Sequence, residues 1–388
     1  MFLIERLVGV GVYSLVLVLF CVSLVGKSGK EIKRLLFFYS IVLSIMAYNY
    51  VPYKTADLYR IYEYVEIFKN YSFSQLWENT VTNSDLGSAA VLYWAFAKIG
   101  MPKLLPSVAA FVCYNCIFYI ISKTAEKHQI SGTNVAIALF FYMTTETYMS
   151  IIAGIRCMLG VVLLAFCFFR ENYEKKVNIL HLPLYIISFF IHAFSAVLII
   201  LRFIIPVLSA QRTILSKIVH LSVFAVAMAL LYNYTGDYLV HITSRAWGYI
   251  ENDMYSYGWG YIIDLFAWIT MVAVIYRHRR YKEDENATDL NGLKTFLCIC
   301  LFSAIAFCFE YSIFTRLILH ISPILCLPIL MNVLQKNDSE YCKNDENKML
   351  TQTAHGSAFN YLFVCASVLL LLLSCSRGEM SGLKFFVL

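Results

Sequence analysis

The ionisable side chains set inside apolar sequence mark where this chain could do chemistry. Arg156 lies in IIAGIRCMLG (151–160), with IALFFYM before it and VVLLAFCFF after it. A guanidinium near the start of a lipid-embedded helix costs roughly 2.5–3.5 kcal/mol on insertion scales. Something must offset that cost: either an internal carboxylate, or a wet cavity that receives an anion. Arg316 and Glu310 bracket a turn in FCFEYSIFTRLILH, and His192 stands in FFIHAFSA. Glu146 ends a run in MTTETYMS. Asp57, Tyr59 and Arg60 fall in YNYVPYKTADLYRIYEY, and Arg245, Glu251 and Asp253 in HITSRAWGYIENDMYSYGWG. Arginine suits phosphate, because its planar fork donates in parallel and stays charged. A carboxylate or an imidazole suits proton removal from a hydroxyl.

Each residue also has a structural alternative. Asp57 and Arg60 are three apart on an expected helix and can pair with each other. Glu146 and Arg156 can close an ion pair across a helix hairpin. Glu310 and Arg316 can pair across their turn. His192 reads equally as a hydrogen-bonded core histidine. Arg245, Glu251 and Asp253 read singly as a solvated loop. His320, one turn below Arg316, reads as a packing residue, and His181 falls at a basic edge.

The elements that must position these residues follow from composition. The 388 residues are 60% hydrophobic and 14% charged, against ~25% charged in soluble domains. Mean hydropathy is +0.67. These values define an all-α polytopic integral membrane protein, read here as one transmembrane domain over 1–388 with about 10–12 spans of ~20 residues. Apolar runs lie near 7–26, 35–51, 104–122, 133–151, 153–169, 179–207, 214–232, 259–276, 294–310, 312–333 and 358–375. The net charge of +6 is modest, and the basic residues cluster between runs. They report topology and not nucleic-acid binding. Of the twelve cysteines, Cys113 and Cys116 form a CYNC, but no second ligand pair accompanies them, and most of the others lie in apolar runs as packing residues. The first run has no small-residue cleavage site and reads as a retained span.

Basic segments at 27–34, 170–178, 277–293 and 334–357 are expected on the cytoplasmic side, which places 52–85 and 233–258 outside. Two segments resist simple counting. The stretch 86–100 must dip in and return, or lie at the interface, because 104–122 already supplies the crossing. The stretch 179–207 starts and ends on the basic side. It is either two short helices meeting near His192 or one long tilted helix; broken helices are tolerated only where buried in protein or lining a wet cavity. With this topology the candidate residues converge on the outer leaflet, in keeping with a polar cavity opening outward. Tyr48, Tyr50, Tyr53, Tyr59, Tyr62, Tyr64 and Trp77 crowd the first external segment, and Tyr249, Tyr255, Tyr257 and Trp259 the second. Part of this is an aromatic belt. Arginines beside aromatics also suit a phosphate-bearing lipid carrying a sugar chain.

The order of four motifs resembles the EpsG-like family of bacterial exopolysaccharide proteins, related in role to Wzy-type O-antigen and capsule polymerases. They are ADLYRIYEYVEIF (56–68), SDLGSAAVLYWAFAKIG (84–100), AGIRCMLGVVLLAF (153–166), and the pair FFIHAFSAVLI (189–199) and SIFTRLILHISPIL (312–325). Cys157 stands where the family's third motif usually has glutamine. The resemblance implies a polymerase of undecaprenyl-pyrophosphate-linked oligosaccharide repeats in the bacterial cytoplasmic membrane, acting at its outer face. On that reading Arg156 and Arg316 hold the pyrophosphate. Asp57 is the first candidate base or acceptor-positioning group, and His192 the second. Arg60, Arg245, Glu310 and Tyr59 support substrate binding. No cofactor is required, and a divalent cation at the pyrophosphate is compatible. A flippase and a chain-length regulator of the same pathway are the expected partners. The rival readings are a polyprenyl-phosphate-sugar glycosyltransferase adding single sugars, a flippase or other transporter, and a non-catalytic scaffold. Transporters often carry inverted repeats and a charged midplane path. This sequence has no evident repeat, and its charges favour one face.

Overall fold

The computed structural model describes residues 2–52, 54, 56–78, 88–146, 148–176, 181–208, 214–215, 218, 222, 259–280, 287–308, 311–344 and 351–376. Regular structure among them is entirely helical. The helices are α1 (Phe2–Leu24), α2 (Gly29–Asn49), α3 (Asp57–Phe68), α4 (Phe73–Leu76), α5 (Ser88–Ile99), α6 (Leu104–His128), α7 (Gly132–Thr145), α8 (Tyr148–Ala153), α9 (Ile155–Asn172), α10 (His181–Ile191) and α11 (Ala193–Leu208). Further along the chain are α12 (Trp259–Arg280), α13 (Ala287–Ala306), α14 (Tyr311–Thr315), a π-helical turn (Arg316–Ile321), α15 (Ser322–Asn344) and α16 (Thr351–Ser376). The chain is an all-α polytopic membrane protein. The segment 233–258 lies outside the described residues.

Sequence periodicity decides which face of each helix meets lipid. On α1, Leu15, Val18, Leu19 and Val22 are exposed, while Tyr13, Leu17, Phe20 and Leu24 are buried. Both sets repeat at three and four residues, so they form opposite stripes. At the other extreme, the continuous stretch Tyr311–Asn337 is almost wholly buried by its neighbours. It is the central helix of the bundle. Lipid tails are as apolar as leucine, so close packing and interhelical hydrogen bonds must hold such helices together.

Glycine enforces one of these close approaches. Gly132 opens α7, and its N–H donates to Lys27 O at 3.0 Å. A Cβ there would collide with the backbone of Leu24 and Lys27. Ser131 caps the same helix by accepting from Asn134 N–H, and its own N–H donates to Gln335 Oε1 at 2.9 Å.

The basic helix ends meet at one end of the bundle. Besides the Lys27–Gly132 and Ser131–Gln335 contacts, Arg277 donates to Asn337 Oδ1 at 3.1 Å, the Tyr119 hydroxyl donates to Glu174, and Lys127 lies over the Tyr173 ring. The segments expected to be cytoplasmic therefore share one face. At the opposite end, Ser44 on α2 is bonded to Ser107 on α6, and further along Asn115 donates to Ser40, so those two helices run antiparallel.

The described part of the stretch 179–207, residues 181–207, is a helical hairpin, and a single clamp shows why. Glu171, at the end of α9, contacts His181 Nδ1 at 3.3 Å and accepts from the Tyr185 hydroxyl at 3.0 Å and from Arg202. In one straight helix, His181 and Arg202 would stand about 32 Å apart. Here both reach the same carboxylate, so α11 retraces α10. The eleven residues of α10 rise about 16 Å, roughly half of a ~30 Å hydrocarbon core. His192 sits at the apex, between the helices.

The helix α5 within 86–100 has twelve residues, about 18 Å, and does not span. Midway along it Trp94 donates to Tyr71 O, and near its end Lys98 donates to Lys69 O at 2.7 Å. It then leads straight into the start of α6. The helix thus lies with α3 and α4 at the end of the bundle away from the basic loops.

Candidate functional site

Two register facts bring the site together. Ser131 and Glu146 are fifteen residues apart on one side, Gln335 and His320 fifteen apart on the other. The antiparallel helices α7 and α15 therefore keep step from the basic face to Glu146. There α7 stops: Glu146 leaves helical geometry at φ −91°, ψ 107°. Its carboxylate is fully buried, and Oε2 lies 2.8 Å from His320 Nδ1. A carboxylate only accepts, so Nδ1 carries the proton and Nε2 holds the lone pair.

His320 belongs to the π-helical turn that also contains Arg316. Such turns insert an extra residue and recur at functional sites. Just before this turn, the Thr315 hydroxyl donates to Asp264 Oδ2 at 2.6 Å, and Asp264 is fully buried. Tyr261, one turn before Asp264 on α12, stacks on Phe314 at 4.8 Å between ring centroids.

Arg156 occupies the first turn of α9, which starts after Gly154 without a side-chain cap. The hairpin docks one turn further on. Gly160 has no Cβ because one there would collide with Ser195 Oγ and crowd Ser188 O. Ser188 and Ser195 flank the apex, and His192 is thereby set at the level of Arg156. The ring of His192 caps α11: its Nδ1 accepts from Phe194 N–H at 3.1 Å. In the neutral ring the proton is then on Nε2, which donates.

The charges of Arg156 and Arg316 and the ring of His320 act electrostatically on His192. Arg316, Glu146, Arg156 and Asp57 likewise all act on the buried thiol of Cys157. The π-helical turn with Arg316 and His320 packs against α9, which carries Arg156 and Cys157, while Glu146 contacts His320 and α3 with Asp57 packs against α8, so these groups gather at one end of the molecule, away from the basic loops. Burial is graded across it: Glu146 is enclosed, Arg156, Arg316 and His192 are half-buried, and Asp57 and Arg60 are exposed. The positive ends of α9 and α11 lie at the same level. Helix N-termini and guanidinium groups together favour an anion.

Asp57 begins α3 and pairs with Arg60 at 2.6 Å, as their spacing allowed. Both side chains are 63% exposed, and such surface pairs contribute only about 0–1 kcal/mol. Tyr59 beside them is half-buried. On the same helix, burial pushes the Tyr62 phenol up to about 12, so it stays a neutral donor. Arg245 and Glu310, with Glu251 and Asp253, lie outside the described residues.

Three residues gained a place that sequence reasoning did not give them. His320 was read as packing, and its partnership with Glu146 spans 174 positions. Asp264 and Thr315 were not singled out. An acid within the apolar run YIIDLFAWIT was itself a signal, since intramembrane carboxylates face protein interiors or cavities.

The fold and site define a polytopic membrane protein that gathers arginines, histidines and carboxylates at one end of its helices. More particularly, the chain belongs to the EpsG family, whose model matches residues 55–344. That stretch contains every site residue described above. Membership makes it, in general terms, a membrane polymerase of polysaccharide biosynthesis. No curated protein and no solved structure matches the chain significantly.

Proposed function

We propose that this protein polymerises oligosaccharide repeat units carried on undecaprenyl pyrophosphate. The reaction takes place at the outer face of the bacterial cytoplasmic membrane, with the N-terminus and α3–α5 outside and the basic loops in the cytoplasm. The observation that carries the reading is the placement of Arg156 and Arg316 around His192 and Cys157 at the end of the bundle away from the basic loops.

The roles follow from charge and exposure. The acceptor hydroxyl attacks the anomeric carbon of the growing chain. The bond from that carbon to the pyrophosphate oxygen breaks, and its electron pair stays on the pyrophosphate. Arg156 and Arg316 neutralise the charge that develops there, and His192 Nε2–H adds a donor. Asp57, exposed on α3, positions the incoming unit or takes its proton, with Arg60 and Tyr59 beside it. Arg245 and Glu310 are proposed to bind substrate on the strength of the sequence alone. A divalent ion, where present, would enter bound to the pyrophosphate. A flippase supplies the substrate and a chain-length regulator limits the product.

Reconstitution tests this. Purified protein in liposomes receives lipid-linked repeat units extracted from cells that lack it, and no nucleotide sugar. A ladder of chains separated by whole repeats supports the proposal. Addition of single sugars, or movement of the lipid across the bilayer without chain growth, overturns it.

A further inference from the structure

We infer that His320, oriented by Glu146, is the general base that takes the proton from the acceptor hydroxyl. This rests on the polymerase reading and goes beyond it, since that reading makes His192 a donor and leaves an exposed Asp57 either to position the acceptor or to take its proton. Geometry separates the candidates. Asp57 is exposed and held by Arg60 at 2.6 Å, so its lone pairs are already engaged by a cation and water. His192 has its Nδ1 lone pair committed to Phe194 N–H. Its remaining nitrogen carries a proton, so His192 donates and does not accept.

His320 has the opposite arrangement. Nδ1–H points at a carboxylate 2.8 Å away, which leaves the Nε2 lone pair as the ring's acceptor. The Glu146 carboxylate is fully buried, while the His320 side chain keeps 14% of its surface accessible. A buried carboxylate behind an accessible imidazole fixes the tautomer and stabilises the imidazolium that forms on proton uptake, the logic of a carboxylate–histidine–nucleophile triad. The ring lies within electrostatic reach of His192, as do Arg156 and Arg316. The π-helical turn places Arg316 and His320 together. One short segment thus offers a cation for the leaving group and a base for the nucleophile.

The balance is complete. The acceptor O–H bond breaks as its oxygen bonds to the anomeric carbon. The proton passes to His320 Nε2, the pyrophosphate leaves with the carbon–oxygen electron pair, and the imidazolium later returns its proton to water. His320 is the catalytic residue and Glu146 a positioning residue.

The test compares His320→Gln, Glu146→Gln and the double variant in the liposome assay, with extracted lipid-linked repeat as the probe. Positioned acid–base groups contribute about 10²–10⁴-fold. The expected result is a kcat about 100-fold lower for His320→Gln and about 10-fold lower for Glu146→Gln, with KM within about twofold of wild type. The double variant should be no slower than His320→Gln, because the pair acts as a unit. A His320→Gln kcat within threefold of wild type overturns the inference, as does a double variant whose loss is the product of the two. If His320→Gln does not accumulate in membranes, Glu146→Gln decides alone: lower kcat at unchanged KM supports the dyad, and unchanged kcat overturns it. Wild-type protein that builds no polymer would instead sink the polymerase reading.

Discussion

Replacing Glu171 with leucine should loosen the hairpin without touching the site it supports. The carboxylate receives His181, the Tyr185 hydroxyl and Arg202. Its side chain is 8% exposed, that of His181 4% and that of Arg202 23%. Removing one partner of a buried pair leaves the other charge uncompensated and costs about 3–5 kcal/mol. Arg202 is partly accessible and lies against the Tyr185 ring, so the lower end, about 3 kcal/mol, applies. The apex with His192 is about 16 Å from the clamp. Chain growth should therefore fall through displacement of His192, while the arginines stay in place. The assay is thermal unfolding of detergent-solubilised protein, followed by intrinsic fluorescence, alongside polymer yield. Glu171→Leu with Arg202→Met should recover most of the stability, because apolar pairs often replace buried ion pairs at little cost. Stability within about 0.5 kcal/mol of wild type for Glu171→Leu, or a double variant as unstable as the single, would refute the clamp.

Three further outcomes follow from the same structure. Gly160→Val forces a side chain against Ser195 and Ser188; it should cost about 1–3 kcal/mol in thermal unfolding and reduce polymer yield, and Ser195→Gly should restore part of both. Arg316→Lys keeps the charge but loses the planar fork, so KM for the lipid-linked repeat should rise about 10-fold, the worth of one charge-assisted hydrogen bond. Asp57→Asn breaks only an exposed pair, so unfolding should move by less than about 1 kcal/mol while KM for the acceptor rises.

The legible part of this protein was the part written in local pattern. Apolar runs and basic loops gave the helices and their common basic end, because lipid and lysine placement act segment by segment. The hairpin was one of two readings that the run at 179–207 left open, the other being one long tilted helix, because a segment with basic residues at both ends does not by itself show where the chain turns. The pairing of Asp57 with Arg60 was one of two readings that their spacing allowed. The missed features are long-range or irregular. His320 and Glu146 meet across 174 positions, and nothing near either residue names the other. The π-helical turn shifts the register after Arg316, and an ordinary helical repeat does not show such an insertion. The run 133–151 is broken at Glu146, which separates α7 from α8; its apolar composition conceals that stop. Arg156 was conspicuous because a guanidinium in an apolar run is costly. Its surroundings, with Arg316 and His192, come from three separate helical segments.

The central claim is that Arg156 holds the pyrophosphate of a growing lipid-linked chain. The most direct measurement is the profile of lipid-linked glycans in cells carrying Arg156→Ala at normal protein level. The account predicts that single repeat units accumulate on the carrier and long polymer disappears. Polymer of normal length would contradict it and leave Arg156 a packing cation; a repeat unit shortened by one sugar would assign the protein to single-sugar transfer.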